Sequence, residues 1–171
     1  MTLPVPRTPA PALEVETVGG TPWRLAESAA KPFTLIVFYR GLHCPICKPY
    51  LRDLDRRIDD FTGRGVAVIA ISGDSAQRAA ESVEDWGLKK LAVGYGQSIA
   101  SMREWGLFVS RAIRDGEPDE FGEPGLFLIK PNGTVYCASV ASMPFARPNF
   151  GDLMQAIDFI VEKDYPARGE A

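Results

Sequence analysis

Two cysteines three residues apart, Cys44 and Cys47, stand in the run Gly41-Leu42-His43-Cys44-Pro45-Ile46-Cys47-Lys48. The pair follows an apolar strand pattern and opens a helical one, and that placement is what gives it chemistry. A helix start presents unpaired N–H groups and about half a unit of positive charge, and both stabilise a thiolate. Thiols so placed fall from about 8.5 into the range ~3.5–7.5. Cys44, at or just before the first turn, is expected to accept those N–H groups and attack a disulfide. Cys47, one turn deeper, is expected to resolve the mixed disulfide. Arg40, His43 and Lys48 are each positioned to add positive field, and Pro45, which lacks an N–H, suits an early helical position.

Other uses of the pair fit less well. A zinc site would need His43 and Cys137 as further ligands, but there is no second CxxC or pair of histidines, and the adjacent His43 and Cys44 reach one metal poorly. No metal or cofactor is therefore expected. A strand-to-helix junction is also a poor place to bury two inert thiols. Cys137, in a separate strand pattern, reads as a core thiol, with a resolving role as its alternative. Gly94-Tyr95-Gly96 is too short for a nucleotide loop, and Asn132-Gly133-Thr134 is read as a tight turn.

The elements that must hold the dithiol can be traced along the chain. Phe33 to Tyr39 is apolar almost throughout, as in a strand covered on both faces. From Cys47, the residues Tyr50, Leu51, Leu54, Ile58 and Phe61 recur at helical spacing, and Gly63 and Gly65 end that helix. Val66 to Ile71 is a second buried strand, Asp74 caps a helix through Trp86, and Leu91-Ala92-Val93 is a weaker strand before a helix ending at Gly106. Ser110 to Gly125 is polar and broken by glycine and proline, and is read as a long loop. Leu126 to Ile129 and Val135 to Ala138 form a hairpin around Pro131-Asn132-Gly133, and a final helix turns Leu153, Ile157 and Ile160 inward. Residues 13–18 and 23–25 form an N-terminal hairpin. This alternation implies an α/β fold, a mixed sheet flanked by helices. Residues 1–12, with four prolines, read as an extended arm, 13–165 as the redox domain and 166–171 as a tail.

The 171 residues and their 46% apolar content suit one domain with a real core. A net charge of −3 lacks the basic stripe that nucleic acid or an acidic membrane would require. The apolar runs are too short to span a bilayer. No secretory signal is expected at the N-terminus, and three cysteines fit a disulfide scaffold poorly, so the expected location is cytoplasmic.

From Phe38 to Cys47 the sequence resembles the CxxC-containing group of the AhpC/TSA, or peroxiredoxin-like, family of the thioredoxin superfamily, whose members carry a run like FYRGxWCPYC. Ala100 to Leu107 and Pro124 to Gly133 are similar to its aromatic-Gly-aliphatic helix end and its proline–strand–turn segment. The resemblance implies a thioredoxin-like fold with an N-terminal β-hairpin, and makes Pro124 the cis-proline that packs against the dithiol. It also exposes departures. Against the peroxidase pattern PxxxTxxC, Cys47 takes the peroxidatic position, Cys44 replaces the threonine and Arg40 the proline, while Pro124 stands where the family has an arginine. The strand before the dithiol carries no buried acid to accept a proton from the resolving cysteine.

Three functions follow as expectations. The first is a thiol–disulfide oxidoreductase cycling Cys44 and Cys47, supported by Arg40, His43, Pro45 and Pro124, with an antioxidant or thiol-redox role. The second is a thiol-dependent peroxidase in which Cys47 attacks hydroperoxides. The third is an interaction domain with a vestigial dithiol. Partners are expected to be protein or small-molecule thiols and disulfides, with hydroperoxides under the second reading and a dimer among the open oligomeric states.

Overall fold

The computed structural model describes residues 3–171. Every residue of β3, Thr34–Phe38, is buried. The strand is paired on both edges, parallel to β4 (Ala67–Ile71) and antiparallel to β8 (Gly125–Ile129). Beyond these lie β5 (Ala92–Tyr95), parallel to β4, and β9 (Val135–Val140), antiparallel to β8. The N-terminal hairpin, β1 (Glu14–Thr17) and β2 (Trp23–Arg24), adds antiparallel to β5 and completes a seven-stranded mixed sheet in the order β2-β1-β5-β4-β3-β8-β9.

The apolar run of β3 is explained by two cores on opposite faces of this sheet, since successive side chains alternate. Leu35 and Val37 join Cys44, the residues Cys47, Leu51 and Leu54 of α1 (Cys47–Arg56), Phe61 from α2 (Ile58–Gly63) and Ile157 from α5 (Phe150–Lys163). Ile36 and Phe38 join Met102 from α4 (Ile99–Glu104), together with Trp105, Phe127 and Val15. Phe127 is fully buried, with ring centroids 4.9 Å from Trp105 and 5.8 Å from Phe38. The dithiol therefore belongs to the α1–α5 core, at the end of the most buried strand.

Three segments differ from the sequence reading. The helix expected from Cys47 through Phe61 is broken at Arg57, whose N–H returns to the Leu54 carbonyl three residues back and whose Nε is drawn 3.1 Å from Asp53. Ile58 and Phe61 still face inward after the break, so the periodicity ran through it unchanged. The stretch expected as loop from Ser110 to Gly125 holds a separate ribbon, β6 (Val109–Arg111) and β7 (Glu120–Gly122), and then enters β8 at Gly125. Its strands are too short to show alternation. Finally, the cap of α3 (Ala76–Asp85) is Ser75, whose side chain accepts the Arg78 N–H at 3.3 Å, and not Asp74.

Residues 7–10 run along the β8–β9 turn, and Leu3 and Pro4 lie against Gly106. The Arg7 N–H reaches the Val135 carbonyl at 2.8 Å, and its guanidinium reaches the Ala167 carbonyl at 2.7 Å, which ties both ends of the chain together. Met1 and Thr2, the first residues of the expected arm, lie outside the described residues. Among the described residues no helix is long and apolar enough to cross a membrane.

Phe127→Ala should cost about 3–5 kcal/mol of unfolding free energy, the usual penalty for truncating a fully buried aromatic. Denaturant unfolding reads this directly.

Candidate active site

Cys44 and Cys47 form a disulfide, with Cα atoms 5.3 Å apart. The chain leaves β3 through the Tyr39 N–H, bonded to the Ile71 carbonyl, and turns at Gly41. Gly41 has φ +130, a conformation that L side chains rarely adopt. The Cys44 N–H closes that turn on the Gly41 carbonyl at 3.1 Å. Helix α1 then begins at Cys47 itself, and Cys44 sits in the turn before it. The Cys47 N–H, at the start of the helix, is shared between Cys44 Sγ and the Cys44 carbonyl, at 3.2 Å from each. Pro45 is exposed in the turn ahead of α1, and the proline within the first helical turn is Pro49. Both cysteines are buried, with Pro45 and Ile46 forming the exposed bridge between them.

The positive field expected from the approach loop is largely absent. Arg40 makes a bidentate pair with Glu123, at 2.7 and 2.8 Å, and Ser110 Oγ also donates to that carboxylate. Glu123 is almost fully buried, so Arg40 neutralises it and has little charge to lend the sulfurs. His43 lies edge-on to Phe121 with ring centroids 4.5 Å apart, and neither ring nitrogen has a hydrogen-bond partner. Burial lowers its pKa below the ordinary value of 6.5, and the imidazole is neutral at pH 7.

The cation beside the dithiol comes from the irregular segment between β9 and α5, whose sequence carries no periodic pattern. Arg147, in the loop before α5, has Nη1 3.5 Å from Cys47 Sγ and Nη2 3.5 Å from the Ile46 carbonyl. Its guanidinium lies 4.0 Å over the Tyr50 ring, and the Tyr50 hydroxyl donates to the Pro148 carbonyl at 2.7 Å, which braces the loop against α1. Desolvation lowers the Arg147 pKa to about 10, so it stays charged at neutral pH. Nothing in local sequence pattern links position 147 to position 47, one hundred residues away. A lone arginine in a loop flanked by prolines was the available signal, and it is a weak one.

Pro124 borders the same recess as Arg147, Tyr50 and Ser139, a space of about 10 Å³. Its peptide bond is trans, contrary to the cis form that the resemblance implied; the cis bond among the described residues is Lys31–Pro32. The Glu123 N–H is held by the Phe108 carbonyl and the Pro124 carbonyl receives the Ala141 N–H, so the chain passes extended from β7 into β8. Cys137 is a free, half-buried thiol whose pKa is raised by burial. It pairs with Leu128, which lies opposite Leu35, so its register is near the start of β3 and not at the end that carries the dithiol. Among the described residues no cluster of three His, Cys, Asp or Glu side chains forms a metal site.

A family model described as AhpC/TSA family matches residues 6–138. The chain belongs to the AhpC/TSA family. No curated protein sequence matches it significantly. Among solved structures, a cysteine-to-serine variant of peroxiredoxin 6 from Arenicola marina is similar at TM-score 0.78 and 18% identity, over 96% of this chain and 75% of that one. A peroxiredoxin-like protein from Aquifex aeolicus gives TM-score 0.74 at 17% identity, over 94% and 89%. The peroxidoxin BcpB from Mycobacterium tuberculosis gives 0.71 at 16% identity, over 91% and 96%. At such identities the structures establish the thioredoxin-like peroxiredoxin fold. AhpC/TSA membership together with the Cys44–Cys47 disulfide gives the chain a thiol-oxidoreductase role of the peroxiredoxin-like kind.

His43 is the single histidine, so its titration can be isolated. Its folded pKa lies below its unfolded one, so on acidification the unfolded chain takes the proton first. Stability should be complete above about pH 6.5 and fall below it, until the folded pKa is passed. Unfolding free energy measured at about pH 7.5 and about pH 5.5 should show this loss, and His43→Phe should remove it.

Proposed function

We propose that this AhpC/TSA member is a dithiol–disulfide oxidoreductase in which Cys44 meets the partner sulfur and Cys47 departs and returns as the internal thiolate. The observation that carries the reading is the unequal surroundings of the two sulfurs: a backbone N–H on Cys44, and the Arg147 guanidinium on Cys47. A charge at that distance stabilises an anion more than a neutral donor does, so Cys47 is the better leaving group. A partner thiolate attacks Cys44 Sγ, the Cys44–Cys47 bond breaks, and its electron pair remains on Cys47 beside Arg147. A second partner thiolate then attacks the partner sulfur, a partner disulfide forms, and Cys44 leaves as a thiolate. Two partner thiols are oxidised and the dithiol is left reduced, with the two protons taken up as the pH dictates. The reverse sequence reduces a partner disulfide. Arg147 also meets the need left by the absent buried acid, because it holds the Cys47 thiolate by charge without accepting a proton. A reducing compartment, the cytoplasm, suits the free Cys137.

The same contact favours a second reading, a peroxidase. The Cys47 thiolate would attack a hydroperoxide, the O–O bond would break with loss of an alcohol or water, and Cys44 would then displace water from the Cys47 sulfenic acid to close the disulfide. The locking of Arg40 by Glu123 weighs against it, since this approach-loop cation is not free to orient a peroxide.

Single-cysteine variants separate the two. With oxidised glutathione as probe, Cys47→Ser should accumulate a mixed disulfide on Cys44, and Cys44→Ser should lose exchange by about 100-fold or more, as for loss of an attacking group. A mixed disulfide gathering on Cys47 in Cys44→Ser would overturn the assignment. Rapid sulfenic acid formation at Cys47 with hydrogen peroxide, well above the rate of free cysteine, would establish the peroxidase instead.

A further inference from the structure

We propose that Asp74 is a positioning residue for the dithiol, holding the turn that presents Cys44 through the Leu42 N–H and the space above Gly41. The Asp74 side chain is fully buried, yet it does not cap the helix that follows it, a task taken by Ser75. Its Oδ2 accepts the Leu42 N–H at 2.8 Å. Its carboxylate also fills the space over Gly41, where an added Cβ would stand 2.6 Å from Oδ1. The acid is itself fixed from several sides. Its N–H bonds Ser72 Oγ at 3.2 Å, its carbonyl accepts the Gly96 N–H at 2.9 Å, and Arg78 Nε lies 3.3 Å from Oδ1. Arg78 extends the tie to the ribbon loop by donating to the Gly116 carbonyl at 3.1 Å.

A buried carboxylate is costly unless paired and hydrogen-bonded, and this one directs part of its bonding capacity at a loop and not at its own element. The loop it grips is the one whose glycine holds an unusual φ and whose carbonyl receives the Cys44 N–H. Releasing Leu42 would let Cys44 wander from Cys47 in the reduced state. The effective concentration of one thiol toward the other would fall, and the disulfide would form less favourably.

The inference rests on the dithiol cycling between two states, and its test is an equilibrium that needs no physiological partner. Wild type, Asp74→Ala, Asp74→Asn and Gly41→Ala would each be titrated in glutathione redox buffer, with circular dichroism confirming that each is folded. Asp74→Ala should lower the equilibrium constant for disulfide formation about tenfold, equivalent to ~30 mV. Asp74→Asn retains an oxygen acceptor and should restore most of it, to within about threefold of wild type. Gly41→Ala, which attacks the same contact from the loop side, should shift the constant in the same direction, and serves if Asp74→Ala does not fold. A wild-type value in Asp74→Ala or Gly41→Ala would overturn the proposal. So would an equal loss in Asp74→Asn and Asp74→Ala, which would make charge and not position the cause. If wild type itself shows no defined redox couple, the dithiol reading fails; if it does and the variants match it, only the positioning role fails.

Discussion

A disulfide that opens and recloses must keep its two sulfurs within bonding reach in both states, and the rest of this fold is arranged around that constraint. The pair sits where the most buried strand hands over to a helix. β3 cannot shift without breaking ladders on both edges, and α1 cannot shift without losing Leu51 and Leu54 from the core. Only the turn from Arg40 to Ile46 has freedom, and it is gripped from three directions, by Glu123 on Arg40, Asp74 on Leu42 and Phe121 on His43. Those grips come from β7 and the residue that follows it, and from the turn between β4 and α3. The ribbon therefore forms one wall of the site.

The electrostatics are as selective as the geometry. Arg40 and His43, next to the dithiol in sequence, would suggest a strong positive field, but Arg40 is consumed by a buried glutamate and burial lowers the His43 pKa. The guanidinium that faces sulfur comes from the loop before α5 and, of the two sulfurs, contacts that of Cys47. One cation on one sulfur makes the pair asymmetric, and asymmetry decides which cysteine leaves as a thiolate and which carries the partner. Pro124 and Arg147 border the same recess, so the charge reaches the site from the loop before α5.

Much of this was legible in the sequence because it was local or periodic. The unbroken apolar run of β3, the helical spacing after Cys47 and the turn at Asn132-Gly133 are each written in local residue types and spacing, and each forms the expected element. The ribbon at 109–122 escaped because three-residue strands leave no alternation to read. The break at Arg57 escaped because the apolar residues on either side keep their phase. Asp74 looked like a helix cap because an acid before a helix usually is one, and its true partner, Leu42, lies in another element. Arg147 was out of reach altogether. A side chain that acts across one hundred residues leaves no trace in spacing, and only the tertiary fold shows which sulfur it serves.

Stabilisation of the Cys47 thiolate by Arg147 can be read by alkylating the reduced protein across a range of pH and following each cysteine separately by mass spectrometry. Cys47 should titrate at least about one unit below the ordinary thiol value of about 8.5, and Arg147→Gln should return it toward that value while Cys44 moves less. A Cys47 that titrates near the ordinary value in wild type, or that is unmoved by Arg147→Gln, would contradict the account.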